Sequence, residues 1–104
     1  MNNKFLNFLG LCKKAGKLTL GTDTTIDSIK KNKSIIIFVT KDFSTTSLKK
    51  VENVNLKNKV EVLKLNCSMT DIQFALGKKC GVISINDSSF ANKLKKLLTF
   101  KEDF

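Results

Sequence analysis

The chain has 104 residues, with 19 lysines against 9 acidic side chains and no Arg, His, Pro, Trp or Tyr. Its formal charge of +10 suits a polyanionic partner, while the absence of Arg removes the planar fork that grips guanine or phosphate bidentately. With no His, and with Cys12, Cys67 and Cys80 far apart and forming no CxxC pair, the composition argues against a structural zinc site and for a reducing cytoplasm.

The length fits one domain, residues 1–104, able to build a core without disulfides or metals. Met1 to Asn7 lacks the basic head and apolar run of a signal peptide, and no stretch is apolar enough to span a bilayer. Charge alone does not decide the partner, because a composition rich in Lys, Asn and Ile is also what mutational bias produces.

In chain order, Phe5, Phe8, Leu9 and Cys12 form a helical stripe within Asn3 to Ala15. Lys13 and Lys14 sit in the last turn, and Gly16 is a stop. Lys17 to Leu20 predicts a short strand. Thr22 or Asp23 is the expected cap of a second helix, with Ile26 and Ile29 on its inner face and a basic turn, Lys30 to Lys33, at its end. Ile35 to Val39 is apolar at every position and predicts a strand covered on both faces, within Ser34 to Thr40.

Ser44 caps a third helix with Leu48 and Val51 facing inward, and Val60 to Leu65 alternates as a strand. Ser68 and Asp71 have capping-box spacing before a fourth helix that Gly77 ends. Lys78 and Lys79 occupy the loop before a strand at Gly81 to Ile85. Asp87 or Ser88 starts a last helix striped by Phe90, Leu94, Leu97 and Leu98, followed by a fraying KEDF tail. This strict alternation predicts an α/β fold: a three-layer α/β/α sandwich of about five helices and a mixed sheet of about four strands.

Gly21 opens a helix after an apolar stretch, so backbone N–H groups are presented there to an anion. The stretch lacks the further glycines of a dinucleotide fingerprint and the GK[ST] of a triphosphate loop. With no His, no clustered carboxylates and no activated cysteine signature, acid–base and nucleophilic catalysis have little to work with.

The order of elements, together with LGLCKKAGKLTLGTDTTIDSIKKNKSIIIFVTKD, resembles the kink-turn-binding ribosomal-protein family, and within it the bacterial YlxQ-type branch. The resemblance runs from Phe5 to Leu98. It rests on AGK at Ala15 to Lys17, GT at Gly21 and Thr22, NK before SIIIFVTKD, ALGKK at Ala75 to Lys79, and INDSSFANKLKKLL at the end. It implies a cytoplasmic, non-enzymatic, cofactor-free RNA-binding protein, expected to be a monomer and associated with ribosomal or other structured RNA or with translation factors. In the family, the glycine and its helix enter the widened groove of a sharply bent RNA, and a loop before the last strand packs on a flipped-out nucleotide.

Carried over by residue, Gly21 and Thr22 match the family pattern. Asp23 stands where Asn is usual, Thr24 where Glu is usual and Asp27 where Lys is usual. Thr19 and Leu20 replace basic residues before the glycine, though Lys17 is kept. An ionised Asp only accepts hydrogen bonds, where Asn both donates and accepts. The expected RNA contacts are therefore Lys13, Lys14, Lys17, Lys41, Lys78 and Lys79 with backbone donors at Gly21 and Thr22, and a specificity altered at Asp23, Thr24 and Asp27. The alternative is a protein-interaction module of the translation or transcription machinery that has lost kink-turn binding.

Overall fold

In the computed structural model, which describes residues 3–100, five helices and four strands alternate in one order. They are α1 (Asn3–Lys14), β1 (Leu18–Leu20), α2 (Thr22–Lys30), β2 (Ile36–Val39), α3 (Thr45–Asn58), β3 (Glu61–Lys64), α4 (Met69–Leu76), β4 (Val82–Ile85) and α5 (Ser88–Phe100). The strands lie in the order β1-β4-β2-β3, with β4 antiparallel to both its neighbours and β2 parallel to β3. The mixed sheet expected from the alternation is present. The tail KEDF lies outside the described residues.

Side chains of successive strand residues point to opposite faces, and each face is covered. Ile36, Phe38, Ile83 and Ile85 join Phe5, Leu9 and Cys12 of α1, Ile72 and Leu76 of α4, and Leu94 of α5 in one core. Ile37, Val39 and Val82 pack against Ile29 of α2 and Val51 of α3 in the other. All four residues of β2 are buried, as a strand with helices on both faces requires. Ile35 is the exception to the expected burial. It is 45% exposed because it lies at the rim of the sheet, before the paired stretch begins. The edge strand β3 keeps Glu61 and Lys64 exposed, charges that discourage further strand pairing.

The second helix turns its expected Ile26 and Ile29 toward the core, but its inner face is wider than the apolar pattern alone. Thr25, Ser28 and Ile29 are buried and Ile26 only half-buried. The reason is a polar strip beneath α2: Thr19 Oγ1 and Ser28 Oγ lie 3.3 Å apart, and Ser84 Oγ is 2.7 Å from both Ser34 Oγ and Asn86 Oδ1. The hydroxyls of Ser28 and Ser84 are hydrogen-bonded and so tolerate burial there, whereas the buried Thr25 hydroxyl has no hydrogen-bond partner, which costs free energy.

The helix caps mostly follow the sequence. Ser44 accepts from Ser47 N–H, Asp87 accepts from Phe90 N–H, and Asn32 takes the left-handed conformation after α2. The expected capping box at α4 is complete: Ser68 N–H donates to Asp71 Oδ2 at 2.9 Å, and Asp71 N–H donates to Ser68 Oγ at 3.2 Å. Gly77 ends the helix in the left-handed conformation.

Two carboxylates at the start of α4 link stability to pH. The Ser68 N–H chiefly holds the Asp71 carboxyl below its usual range, against partial desolvation. Desolvation pushes Asp42 upward, but the Met69 N–H, donating to Asp42 Oδ1 at 3.0 Å, and the neighbouring Lys41 charge pull the other way, and the net direction is down. A lowered folded pKa contributes stability that is full above the unfolded value and is lost as pH falls through the folded one. The urea midpoint should therefore drop as pH falls below the ordinary carboxylate range, about pH 4. Asp71→Asn should lower the midpoint near neutrality and shrink the acid drop; an undiminished drop in that variant would rule out the Asp71 contribution.

Candidate nucleic-acid interface

Strand directions bring the end of β1, the end of β2 and the start of β4 to one end of the sheet. Gly21 stands there between β1 and α2. Its N–H donates to Val82 O at 3.0 Å, and its carbonyl accepts the first helical bond of α2 from Thr25 N–H at 3.1 Å. Its φ of 104° and ψ of 165° belong to a region open essentially to glycine alone. No side chain caps the helix, so the expectation that Thr22 or Asp23 would do so is corrected: Gly21 is the cap residue. The Thr24 hydroxyl turns back instead, donating to Leu20 O at 2.6 Å. The N–H groups of Thr22, Asp23 and Thr24 therefore have no intrahelical acceptor and face outward at the positive end of the helix.

Lys78 reaches this turn from the loop before β4. A methyl carbon placed on Gly21 would lie 3.8 Å from Lys78 Nζ and 3.7 Å from Thr24 Oγ1. Lys13 is drawn to the same loop from α1: its Nζ donates to Leu76 O and lies near Gly77. Lys13 lies in the last turn of α1 as expected, but its ammonium group is given to the last residue of α4, where it holds down the start of the loop. Lys79 is exposed in that loop. Lys41, also exposed, follows β2 at the same end of the sheet, its N–H bonded to Cys67 O at 2.9 Å.

Of the other expected residues, Lys17 stands apart from this constellation, while Asp23 belongs to the helix start itself. Lys17 precedes β1, at the opposite end of the sheet, where its carbonyl accepts from Asn86 N–H. Lys14 is exposed in the last turn of α1. Asp23 is exposed in the first turn of α2. Asp27, one turn further on, forms an i,i+4 ion pair with Lys31 at 3.0 Å, with both side chains about three-fifths exposed (60% and 58%). Such a pair adds little stability in water, but it offsets the carboxylate's charge locally.

Chemistry other than anion contact has little support in these side chains. All three cysteines are buried, and burial pushes the Cys12 and Cys67 thiols up to about 11 and raises Cys80 as well. Buried thiols of this kind are poor nucleophiles. Among the described residues no group of three or more His, Cys, Asp or Glu could hold a metal ion, and no helix is long and apolar enough to cross a membrane. An open hollow between α3 and β3, lined by Glu52, Asn55, Leu56 and Lys59 among others, belongs to the opposite helical layer from α4.

These features define a three-layer α/β/α domain that presents an uncapped helix start and a lysine-bearing loop at one end of a mixed sheet. The chain belongs to the ribosomal protein L7Ae/L30e/S12e/Gadd45 family, whose match spans residues 3–95. It is 37% identical over 95 residues to the RNA-binding protein YlxQ of Enterococcus faecium, covering 91% of each chain. It is 30% identical over 95 residues to the RNA-binding protein YlxQ of Bacillus subtilis, covering 86% of this chain and 90% of that one.

Two solved structures share the fold at low identity. One is a protein of unknown function from Bacillus halodurans, with TM-score 0.81 and 23% identity, covering 92% of this chain and 97% of that one. The other is the 15.5kD RNA binding protein of Giardia lamblia, with TM-score 0.69 and 13% identity, covering 99% and 92%.

Proposed function

We propose that the chain is a non-catalytic RNA-binding protein that holds the backbone of structured or ribosomal RNA at the Gly21 end of the sheet. It works as a monomer in the cytoplasm, with a specificity altered from the kink-turn pattern. The observation that carries this reading is the convergence of the open α2 start with Lys78 at Gly21, flanked by Lys79 and Lys41. Lysines there supply sequence-independent attraction to phosphate, and main-chain donors supply position. Family membership and the name of the two YlxQ relatives point the same way. The Asp27–Lys31 pair removes one objection, because a charge already offset repels phosphate less than a bare one.

Titrating a kink-turn RNA and a matched straight duplex, at low and near-physiological salt, tests the proposal. Natural protein should bind the bent RNA more tightly, and Asp23→Asn with Asp27→Lys should widen that preference. Neutralising Lys78 and Lys79 to Gln should flatten the plot of log affinity against log salt by about one unit for each lysine that meets a phosphate. A variant as salt-dependent as the natural protein would remove this loop from the interface. The exposed Asp23 at the helix start favours a second reading, a protein-interaction module of the translation or transcription machinery. That reading gains if only the doubly reverted protein distinguishes the two RNAs.

A further inference from the structure

Phe74 is 87% exposed, more than Leu11, Ile35 or Leu56, the other large apolar side chains exposed among the described residues. It lies on the outer face of α4, opposite the buried Ile72 and Leu76, in the last turn before the Lys78–Lys79 loop. Nothing in the packing of α4 requires an aromatic ring there. A protein interface would need a contiguous apolar patch. The other exposed residues of α4 are Thr70, Asp71 and Gln73, while Leu56 belongs to α3 and Ile35 to the rim of β2. On α1, Gly10 and Lys13 are the positions that approach α4, rather than Leu11.

A lone ring matches a different ligand. One phenyl face is about the size of one nucleobase, and bases stack on aromatic side chains whatever their sequence. The charge on the segment that follows Phe74 fits a nucleic acid: Lys13 Nζ bonds Leu76 O at the end of α4, and the next loop carries Lys78, which reaches Gly21, and Lys79. The carboxylate within α4, Asp71, is engaged by the Ser68 N–H. We propose that Phe74 is a stacking platform for an unpaired base of the RNA whose backbone passes over the Gly21–Lys78 end. This assignment rests on the RNA-binding reading above and adds a contact that the helix start and the lysines do not provide.

The chain has no Trp or Tyr, so Phe74→Trp creates a single indole reporter at the site. The probe is the kink-turn RNA, alongside a copy whose unpaired nucleotides are abasic. RNA should quench the indole emission of Phe74→Trp. Phe74→Ala should bind the intact RNA roughly 5- to 150-fold more weakly, and Phe74→Leu, apolar but without a π face, nearly as weakly. On abasic RNA the natural protein and Phe74→Ala should bind alike. If the natural protein binds RNA but Phe74→Ala does so equally well, or emission is unchanged, the stacking assignment is overturned while RNA binding stands. Full affinity in Phe74→Leu would replace stacking by simple apolar contact. If neither the natural protein nor any variant binds RNA, both the assignment and the function it rests on fail.

Discussion

Phe38→Ala should cost about 3–5 kcal/mol, the range for truncating a fully buried aromatic. Phe38 is wholly inaccessible in the central strand β2, between the paired strands β4 and β3. Its ring meets Phe5 of α1 edge to face, with centroids 5.3 Å apart and planes at 89°. That geometry adds about 0.5–1.5 kcal/mol beyond the area buried. Both flanking strands and α1 limit how far the site can collapse to fill the void. Domains of this size are stable by about 5–15 kcal/mol, so one substitution should remove a large share and lower the urea midpoint accordingly. A loss below about 1 kcal/mol would mean that the α1 layer is packed far more loosely than these contacts describe.

Gly81→Ala should destabilise by about 1–3 kcal/mol, through overpacking rather than a void. A Cβ there would overlap Phe43 Cδ1 and lie 3.2 Å from Met69 Sδ. Phe43 is half-buried and packed against the core on the α2–α3 face, so its ring has limited freedom to swing away. The Gly81 carbonyl also accepts from Thr40 N–H at 2.9 Å, tying the start of β4 to the end of β2. Displacement there would carry to the Lys78–Lys79 loop just before it, so RNA affinity should fall together with stability. The mechanism is separable with Phe43→Ala. In the double variant, the alanine at position 81 should cost less than it does alone, with a coupling of about 0.5–3 kcal/mol. Additive losses would show that the Phe43 ring is not the obstacle.

Much of the candidate site is legible along the chain, because its signals are local. Gly21 followed by hydroxyl and acidic residues marks a helix start, and the lysines after Gly77 mark a basic loop. Less legible is which partners each side chain takes. Asp23 has the chemistry of a cap, yet the Gly21 conformation leaves the helix uncapped, and Thr24 bonds backward to Leu20 O. Asp27 stands in the sequence as a bare charge where Lys is usual, although Lys31 follows four residues on and forms its pair. That i,i+4 spacing is the available signal. Phe74 is one of several apolar residues in its helix, and its exposure follows from which face of α4 meets α1 and the sheet.

By itself the sequence determined the element order, the doubly covered strand β2, the capping box at Ser68 and the family. These depend on short-range periodicity, turn chemistry and the spacing of motifs. Only the tertiary structure decided that Lys13 serves the end of α4, that Lys78 sits at Gly21 while Lys17 lies at the opposite end of the sheet, and that Ser28 of α2 meets the Thr19 hydroxyl of β1. The physical reason is that these contacts join residues distant in the chain through strand pairing and helix packing. Local pattern carries the tendency to form each element, but strand order and direction decide which loops share an end of the sheet.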